Sequence, residues 1–143
     1  MTTKNNSSAL TTLVTVFFFW GFIGASNGVF IPFCKEYFMI DQFQSQLVDF
    51  AFYGAYYIGA LILFILSSQR KKDIFNSWGY KKGIIYGLLI STVGALVMYP
   101  VINGAQEGQT QVFYGVLIAL FIVGLGFSLQ QTGANPFAVS LGD

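Results

Sequence analysis

Long stretches without charge dominate this sequence. Four apolar runs, at about residues 10–33, 47–66, 83–102 and 112–138, contain a single charged residue between them, Asp49. Each run has the roughly 20 residues that an α-helix needs to cross the hydrocarbon core of a bilayer. Charged residues make up only 9% of the chain, against about 25% in a typical soluble domain. The sequence therefore predicts an all-α membrane protein with four spanning helices and short connections.

The positive charges indicate how these helices are oriented. Of the 7 Lys and Arg residues, five lie between the second and third runs: Arg70, Lys71, Lys72, Lys81 and Lys82. Because Lys and Arg are enriched in cytoplasmic loops, we predict that this connection is cytoplasmic, together with the polar amino-terminal tail of residues 1–9. A cleaved signal peptide is the alternative for the first run, but that run is longer than the roughly 7–15 apolar residues of such a peptide.

Small residues recur at every fourth position within three of the runs. In a bilayer, where lipid is as apolar as the helices, such stripes allow helix backbones to approach closely. We therefore interpret them as packing surfaces rather than ligand contacts. The stripes comprise Ala51, Ala55 and Gly59; Gly83, Gly87, Ser91 and Ala95; and Gly115 and Ala119.

A polar cluster ends the fourth run. Gln130, Gln131, Thr132 and Asn135 follow a nearly all-apolar stretch, and Pro136 comes next. Amide side chains at membrane depth are costly unless they face other protein or a water-filled cavity, so the cluster suggests a ligand path. Proline also disfavours helical geometry in the residue before it, which predicts a backbone break with Asn135 as a kink or cap.

Few groups in the sequence could perform catalysis or hold a cofactor. There is no histidine, and the single Cys34 cannot form an internal disulfide or a zinc site. No pair of acidic residues falls within the apolar runs either. We expect no enzyme activity, no cofactor, no metal and no nucleic-acid partner; the lipid bilayer is the first partner that the sequence indicates.

Four segments together resemble the fucose permease family of sugar transporters, within the major facilitator superfamily. They are Phe19-Trp20-Gly21-Phe22 followed by Asn27 and Pro32; Ala51-Phe52-Tyr53-Gly54-Ala55-Tyr56; Gly79-Tyr80-Lys81-Lys82-Gly83; and Gln131-Thr132-Gly133-Ala134-Asn135-Pro136-Phe137. The second and fourth segments are the most specific. The order and spacing of the family are kept from about Val16 to Gly142.

The resemblance implies a transporter of twelve helices in two halves, each half built from inverted three-helix repeats. Only the first four helices are recognisable, so we expect an amino-terminal fragment that lacks helices 5–12. It also implies transport of a fucose-, glucose- or galactose-like monosaccharide by alternating access, coupled to a cation, in the inner membrane of a bacterium. A small dimeric four-helix exporter and a nonfunctional remnant of a transporter are the alternatives.

The resemblance also assigns candidate site residues. Proton-coupled members of the family carry a carboxylate in the first span and another in the fourth, and the matching positions here are Gly28 and Gln131. Neither side chain titrates, so the coupling ion, H+ or Na+, stays open. Gln131 and Asn27 could instead form bonds between helices. The candidates for binding the sugar are Gln131, Asn27, Asn135, Tyr53 and Tyr56.

Asp49 is the remaining candidate, because it alone among the acidic residues lies within an apolar run. In a cavity it could bind a proton or sodium in place of the missing carboxylates. The alternative, which we favour, places it in the first turn of the second helix, where the helix dipole stabilises an acidic side chain. Tyr53 and Tyr56 should share a helix face. We expect Tyr57 to point elsewhere and Trp20 to serve packing.

Overall fold

The computed structural model describes residues 7–70, Phe75 and residues 79–142, and within them it contains α-helices and no strands. The helices are α1 (Ser7–Tyr37), α2 (Gln42–Arg70), α3 (Tyr80–Asn103) and α4 (Thr110–Gly142). All four are long and apolar enough to cross a membrane, which confirms the all-α transmembrane prediction. Each apolar run lies inside one helix, and the helix extends past it at both ends. Part of the basic connection, including Lys71 and Lys72, lies outside the described residues.

An acidic residue caps the start of α2, but it is Asp41. Oδ1 of Asp41 accepts a hydrogen bond from the backbone N–H of Gln44 at 2.7 Å, and the Gln44 side-chain oxygen accepts one from the backbone N–H of Asp41 at 3.1 Å. This reciprocal capping box satisfies two backbone donors. The expectation that Asp49 lies in the first turn is therefore wrong. The cap starts α2 at Gln42, seven positions before Asp49 and ahead of the apolar run.

Helix α4 lies at the centre of the bundle, packed along α3 and α2 and in lighter contact with α1. Its packing on α3 depends on glycine: a Cβ added to Gly87 would lie 2.6 Å from the carbonyl oxygen of Gly126. The stripe of small residues is thus a packing surface, as predicted, at Gly87. Ala95 is exposed, however, and Gly94 is buried in its place. A strict four-residue spacing drifts off the face of a helix with about 3.6 residues per turn, so the stripe shifts by one position.

Two clusters of buried side chains fill the bundle. The first lies where α1 ends and α2 and α4 begin, and it contains Cys34, Phe38, Ile40, Val48, Phe113 and Val116. The second contains Leu13, Trp20, Phe52, Phe127 and Ala134. Large apolar side chains remain exposed on the outside of the bundle, among them Val29, Phe64 and Leu96. An apolar outer surface is expected of helices whose solvent is lipid.

Candidate functional site

Three of the candidate residues lie on one face of α2. Asp49, Tyr53 and Tyr56 are spaced four and three residues apart, which places them on one side of an α-helix. On this face, Oδ1 of Asp49 accepts a hydrogen bond from Nδ2 of Asn27 on α1, at 2.8 Å. Oη of Tyr56 donates one to Oε1 of Gln131 on α4, at 3.0 Å. The structure therefore brings four of the predicted site residues together as two interhelical pairs.

The carboxylate of Asp49 is only partly satisfied by its contact with Asn27. Both residues are half-buried, and within the described residues no Lys or Arg forms an ion pair with Asp49. Its second oxygen, Oδ2, accepts no hydrogen bond from this part of the chain. Oδ2 is also not fully buried. Among the described residues, the fully buried side-chain oxygen or nitrogen without a hydrogen-bond partner is Oγ of Ser128, so the unpartnered Oδ2 of Asp49 keeps some exposed surface. One carboxylate oxygen thus remains available to a ligand.

A groove of about 720 Å³ opens beside Asp49 along α2. Its walls include Phe43, Gln46, Phe50, Tyr53 and Tyr57. The expectation that Tyr57 points away from the candidate site is therefore wrong. Residues four apart on a helix differ in direction by about 40°, and residues three apart by about 60°. Tyr57 consequently joins Tyr53 in the groove, while Tyr56 turns toward α4.

The two adjacent glutamines of α4 have different surroundings, since successive residues on a helix differ in direction by about 100°. Gln131 is half-buried and meets Tyr56, whereas Gln130 is only 2% exposed. Oε1 of Gln130 accepts a hydrogen bond from Nε1 of Trp20 at 3.1 Å, and its Nε2 donates one to Oγ of Ser91 at 2.8 Å. The sequence pattern and the family resemblance pointed to Gln131 and gave no separate role to Gln130. The available signal was the indole N–H, which needs an acceptor when it is buried.

Trp20 serves packing, as predicted. It is 8% exposed, and its ring centroid lies 5.0 Å from that of Phe17, edge to face, and 5.3 Å from that of Phe127. Aromatic pairs at such distances add a favourable quadrupole interaction to the burial of apolar surface. The ring and the hydrogen bond to Gln130 together attach α1 to α4.

Asn135 takes no part in the two interhelical pairs. Helix α4 continues through Pro136 to Gly142, so the predicted backbone break and the capping role of Asn135 are wrong. A proline removes one backbone hydrogen bond, and membrane helices tolerate this because neighbouring groups and small local adjustments satisfy the freed carbonyl. The Asn135 side chain is exposed and makes no hydrogen bond within the described part of the chain.

Gly28, at the position that matches the first carboxylate of the family, has free space around it. A Cβ added to Gly28 would meet nothing within 4 Å. Hydroxyl and amide groups at Tyr56, Gln131 and Asn27 can hydrogen-bond a ligand with several hydroxyls. Asp49 can take up a cation, although the described residues contain no group of three or more His, Cys, Asp or Glu that could hold a metal ion.

The chain is similar along nearly its whole length to bacterial transporters. It is 36% identical over 139 residues to the glucose/galactose transporter of Brucella abortus, a match that covers 97% of this chain and 30% of the relative. It is 32% identical over 130 residues to the L-fucose-proton symporter of Escherichia coli, covering 91% and 26%. The L-fucose-proton symporter of Haemophilus influenzae is 27% identical over 131 residues, covering 92% and 27%. No family model and no solved structure matches the chain.

This chain spans about 30% of the length of the curated relatives it matches. The matches confirm the resemblance drawn from the four sequence segments, and with the four apolar helices they identify a multi-pass membrane protein. Over the segment that they share, these glucose/galactose transporters and L-fucose-proton symporters of the fucose permease family, within the major facilitator superfamily, are homologues of this chain.

Proposed function

We propose that this protein moves a monosaccharide across the membrane by alternating access. The relatives named for glucose, galactose and L-fucose align with nearly all of this chain, which supports a hexose or deoxyhexose as the substrate. The observation that carries the proposal is the Tyr56–Gln131 pair, a hydroxyl and an amide held together inside an apolar helix bundle. Polar groups at membrane depth are costly and mark substrate pathways. The sugar undergoes no chemical change, so the protein is not an enzyme.

The unused hydrogen-bonding capacity of the two interhelical pairs fits sugar hydroxyls. Oε1 of Gln131 accepts from Tyr56, while Nε2 of Gln131 has no partner among the described residues. Oδ1 of Asn27 is likewise unused there, since Nδ2 makes the bond to Asp49. A hydroxyl both donates and accepts, so Nε2 of Gln131 and Oδ1 of Asn27 can each bind a sugar hydroxyl. The rings of Tyr53 and Tyr56 would offer their faces to its apolar side.

The plan of the superfamily encloses a midplane site between two halves. We propose that helices beyond these four supply the second wall of the site, that the basic connection is cytoplasmic, and that the protein resides in a bacterial inner membrane.

The mass of the native polypeptide in its host membranes tests whether further helices are present. Because the chain covers 30% of a relative, about three times 15.8 kDa is expected. A native mass of 15.8 kDa would favour a dimeric four-helix exporter instead.

Sugar counterflow tests the transport proposal. The polypeptide purified from its host membranes is reconstituted into vesicles loaded with unlabelled D-glucose, D-galactose or L-fucose, and entry of the labelled sugar is followed. We expect saturable exchange of at least one sugar. Gln131→Ala should reduce it about tenfold, because losing a hydrogen bond to a desolvated polar group costs about 1–3 kcal/mol.

The matched control is Gln111→Ala. Gln111 is the same residue type at the exposed start of the same helix, so this variant should exchange sugar at the wild-type rate. Exchange of none of the three sugars by the wild-type protein would overturn the proposal. Equal exchange by Gln131→Ala and the wild type would remove Gln131 from the binding site.

A further inference from the structure

We propose that Asp49 takes up and releases a proton that is coupled to sugar movement, and that Asn27 holds its carboxylate in position. The inference rests on the proposed transport function and adds the coupling group to it. The other acidic residues of the described part lie at helix ends or in connections: Glu36, Asp41 and Glu107. Asp49 alone lies well within a helix, seven residues or about 10 Å beyond the start of α2.

The surroundings of Asp49 provide no compensating charge within the described residues. Lys35, near the end of α1, donates to Oε1 of Gln42 at 2.7 Å instead. Helix α4 carries no Lys, Arg, Asp or Glu, and the two lysines of α3 lie in its first turn, at the other end of the bundle. Tyr53 and Tyr57 are the titratable groups that share the groove with Asp49. An ionised carboxylate with only an amide as its partner is costly at membrane depth, and a bound proton removes that cost.

A proton suits this site better than a metal ion. Hard metal cations take several oxygen ligands, about six to eight in the case of calcium. The described residues contain no group of three or more His, Cys, Asp or Glu for such an ion. A proton needs only the one available oxygen, Oδ2 of Asp49. The open groove lies directly beside that carboxylate.

The proposed step is a reversible proton transfer. A proton from water in the groove binds Oδ2 of Asp49 and gives the neutral acid; it later leaves to water on the opposite side, which restores the carboxylate. The ionised form accepts a hydrogen bond from Nδ2 of Asn27, and the neutral form can also donate one to Oδ1 of Asn27. Asp49 and Tyr56 lie on one face of α2, about 10 Å apart, so proton uptake and sugar binding act on the same helix surface.

The experiment separates coupled accumulation from simple exchange. Vesicles containing the purified protein receive a pH gradient of about one unit, which can concentrate a sugar coupled to one proton about tenfold. Accumulation of labelled sugar is then measured beside counterflow. We expect the wild type to show both activities. We expect Asp49→Asn to retain measurable counterflow and to show no accumulation above equilibrium.

The matched control is Asp41→Asn, which makes the same change in the acidic residue that caps the same helix. Asparagine is as good an N-cap as aspartate, so this variant should keep both activities. Asp49→Glu retains an acid and should keep accumulation. Undiminished accumulation by Asp49→Asn would overturn the assignment of Asp49 while leaving sugar transport intact. Accumulation that follows a sodium gradient rather than a pH gradient would do the same. A wild type that exchanges no sugar would overturn both proposals.

A chemical measurement covers the case in which Asp49→Asn does not fold. Lipid-soluble carbodiimides react with protonated carboxyl groups, and the modified peptide is found by its mass. We expect an adduct on Asp49 of the wild-type protein that increases as the pH falls, and none on Asp41 at the water-exposed cap. A protein that stays unmodified at Asp49 across the pH range would overturn the proposal.

Discussion

Nε1 of Trp20 on α1 donates a hydrogen bond to Oε1 of Gln130 on α4, at 3.1 Å. Nε2 of the same glutamine donates to Oγ of Ser91 on α3, at 2.8 Å, and that hydroxyl donates to the backbone carbonyl of Val123, at 3.3 Å. One buried amide thus connects three helices. Because Gln130 is 2% exposed, water cannot replace its partners if they are lost.

Replacing Gln130 by leucine should destabilise the bundle. The change leaves the indole N–H of Trp20 buried without an acceptor, at a cost of about 1–3 kcal/mol. Thermal unfolding in detergent, followed by circular dichroism, should show a Tm lower by about 2–4 °C for each kcal/mol lost. Gln111→Leu, at the exposed start of α4, should leave the Tm unchanged. An unaltered Tm in Gln130→Leu would contradict the buried connection.

Adding one methyl group at Gly87 should push α3 and α4 apart. A Cβ there would lie 2.6 Å from the carbonyl oxygen of Gly126 and 2.7 Å from the backbone nitrogen of Gln130, and neither backbone atom can move freely. Overpacking of this kind costs about 1–3 kcal/mol, so Gly87→Ala should unfold at a lower temperature. Gly21→Ala is the matched control, because nothing lies within 4 Å of its Cβ position. Equal stability of the two variants would show that the helices separate without cost.

Removing the Tyr56 hydroxyl tests the sugar site. Tyr56→Phe keeps the ring but leaves Oε1 of Gln131 without its donor. A hydrogen bond of this kind contributes about 0.5–1.5 kcal/mol, so the KM for counterflow should rise about two- to tenfold with little change in the maximal rate. Tyr99→Phe, on α3 and 70% exposed, should leave the KM unchanged. A loss of Tm without a change in KM would assign Tyr56 to stability alone.

A carboxylate placed at position 28 should restore coupling to Asp49→Asn. Nothing lies within 4 Å of the Cβ position of Gly28, so the side chain fits, and the family resemblance places an acidic residue there. The double variant Gly28→Asp with Asp49→Asn should again accumulate sugar under a pH gradient of about one unit, up to about tenfold. Gly28→Asn in the same background adds a similar side chain that cannot titrate and should not restore accumulation. Failure of the aspartate to do so would show that position 28 has no access to the proton path.

The membrane location and the four helices could be predicted from local features of the chain. Four runs of apolar residues with one charge among them predict membrane-spanning helices, because run length and hydropathy are local properties that any arrangement of the helices must satisfy. The segments around Trp20, Tyr53, Lys81 and Asn135 also sufficed to recognise the family.

The neighbour that each polar side chain contacts depends on how the helices pack against one another. Gln130 and Gln131 are equivalent in the sequence, yet one bonds Trp20 and Ser91 and the other bonds Tyr56. A residue's partner depends on the rotation of its helix about its own axis, and one position along the chain changes the direction of a side chain by about 100°. Packing of whole helices sets that rotation through many weak contacts far apart in the sequence. For the same reason the contact between Asn27 and Asp49 could be found only in the folded chain.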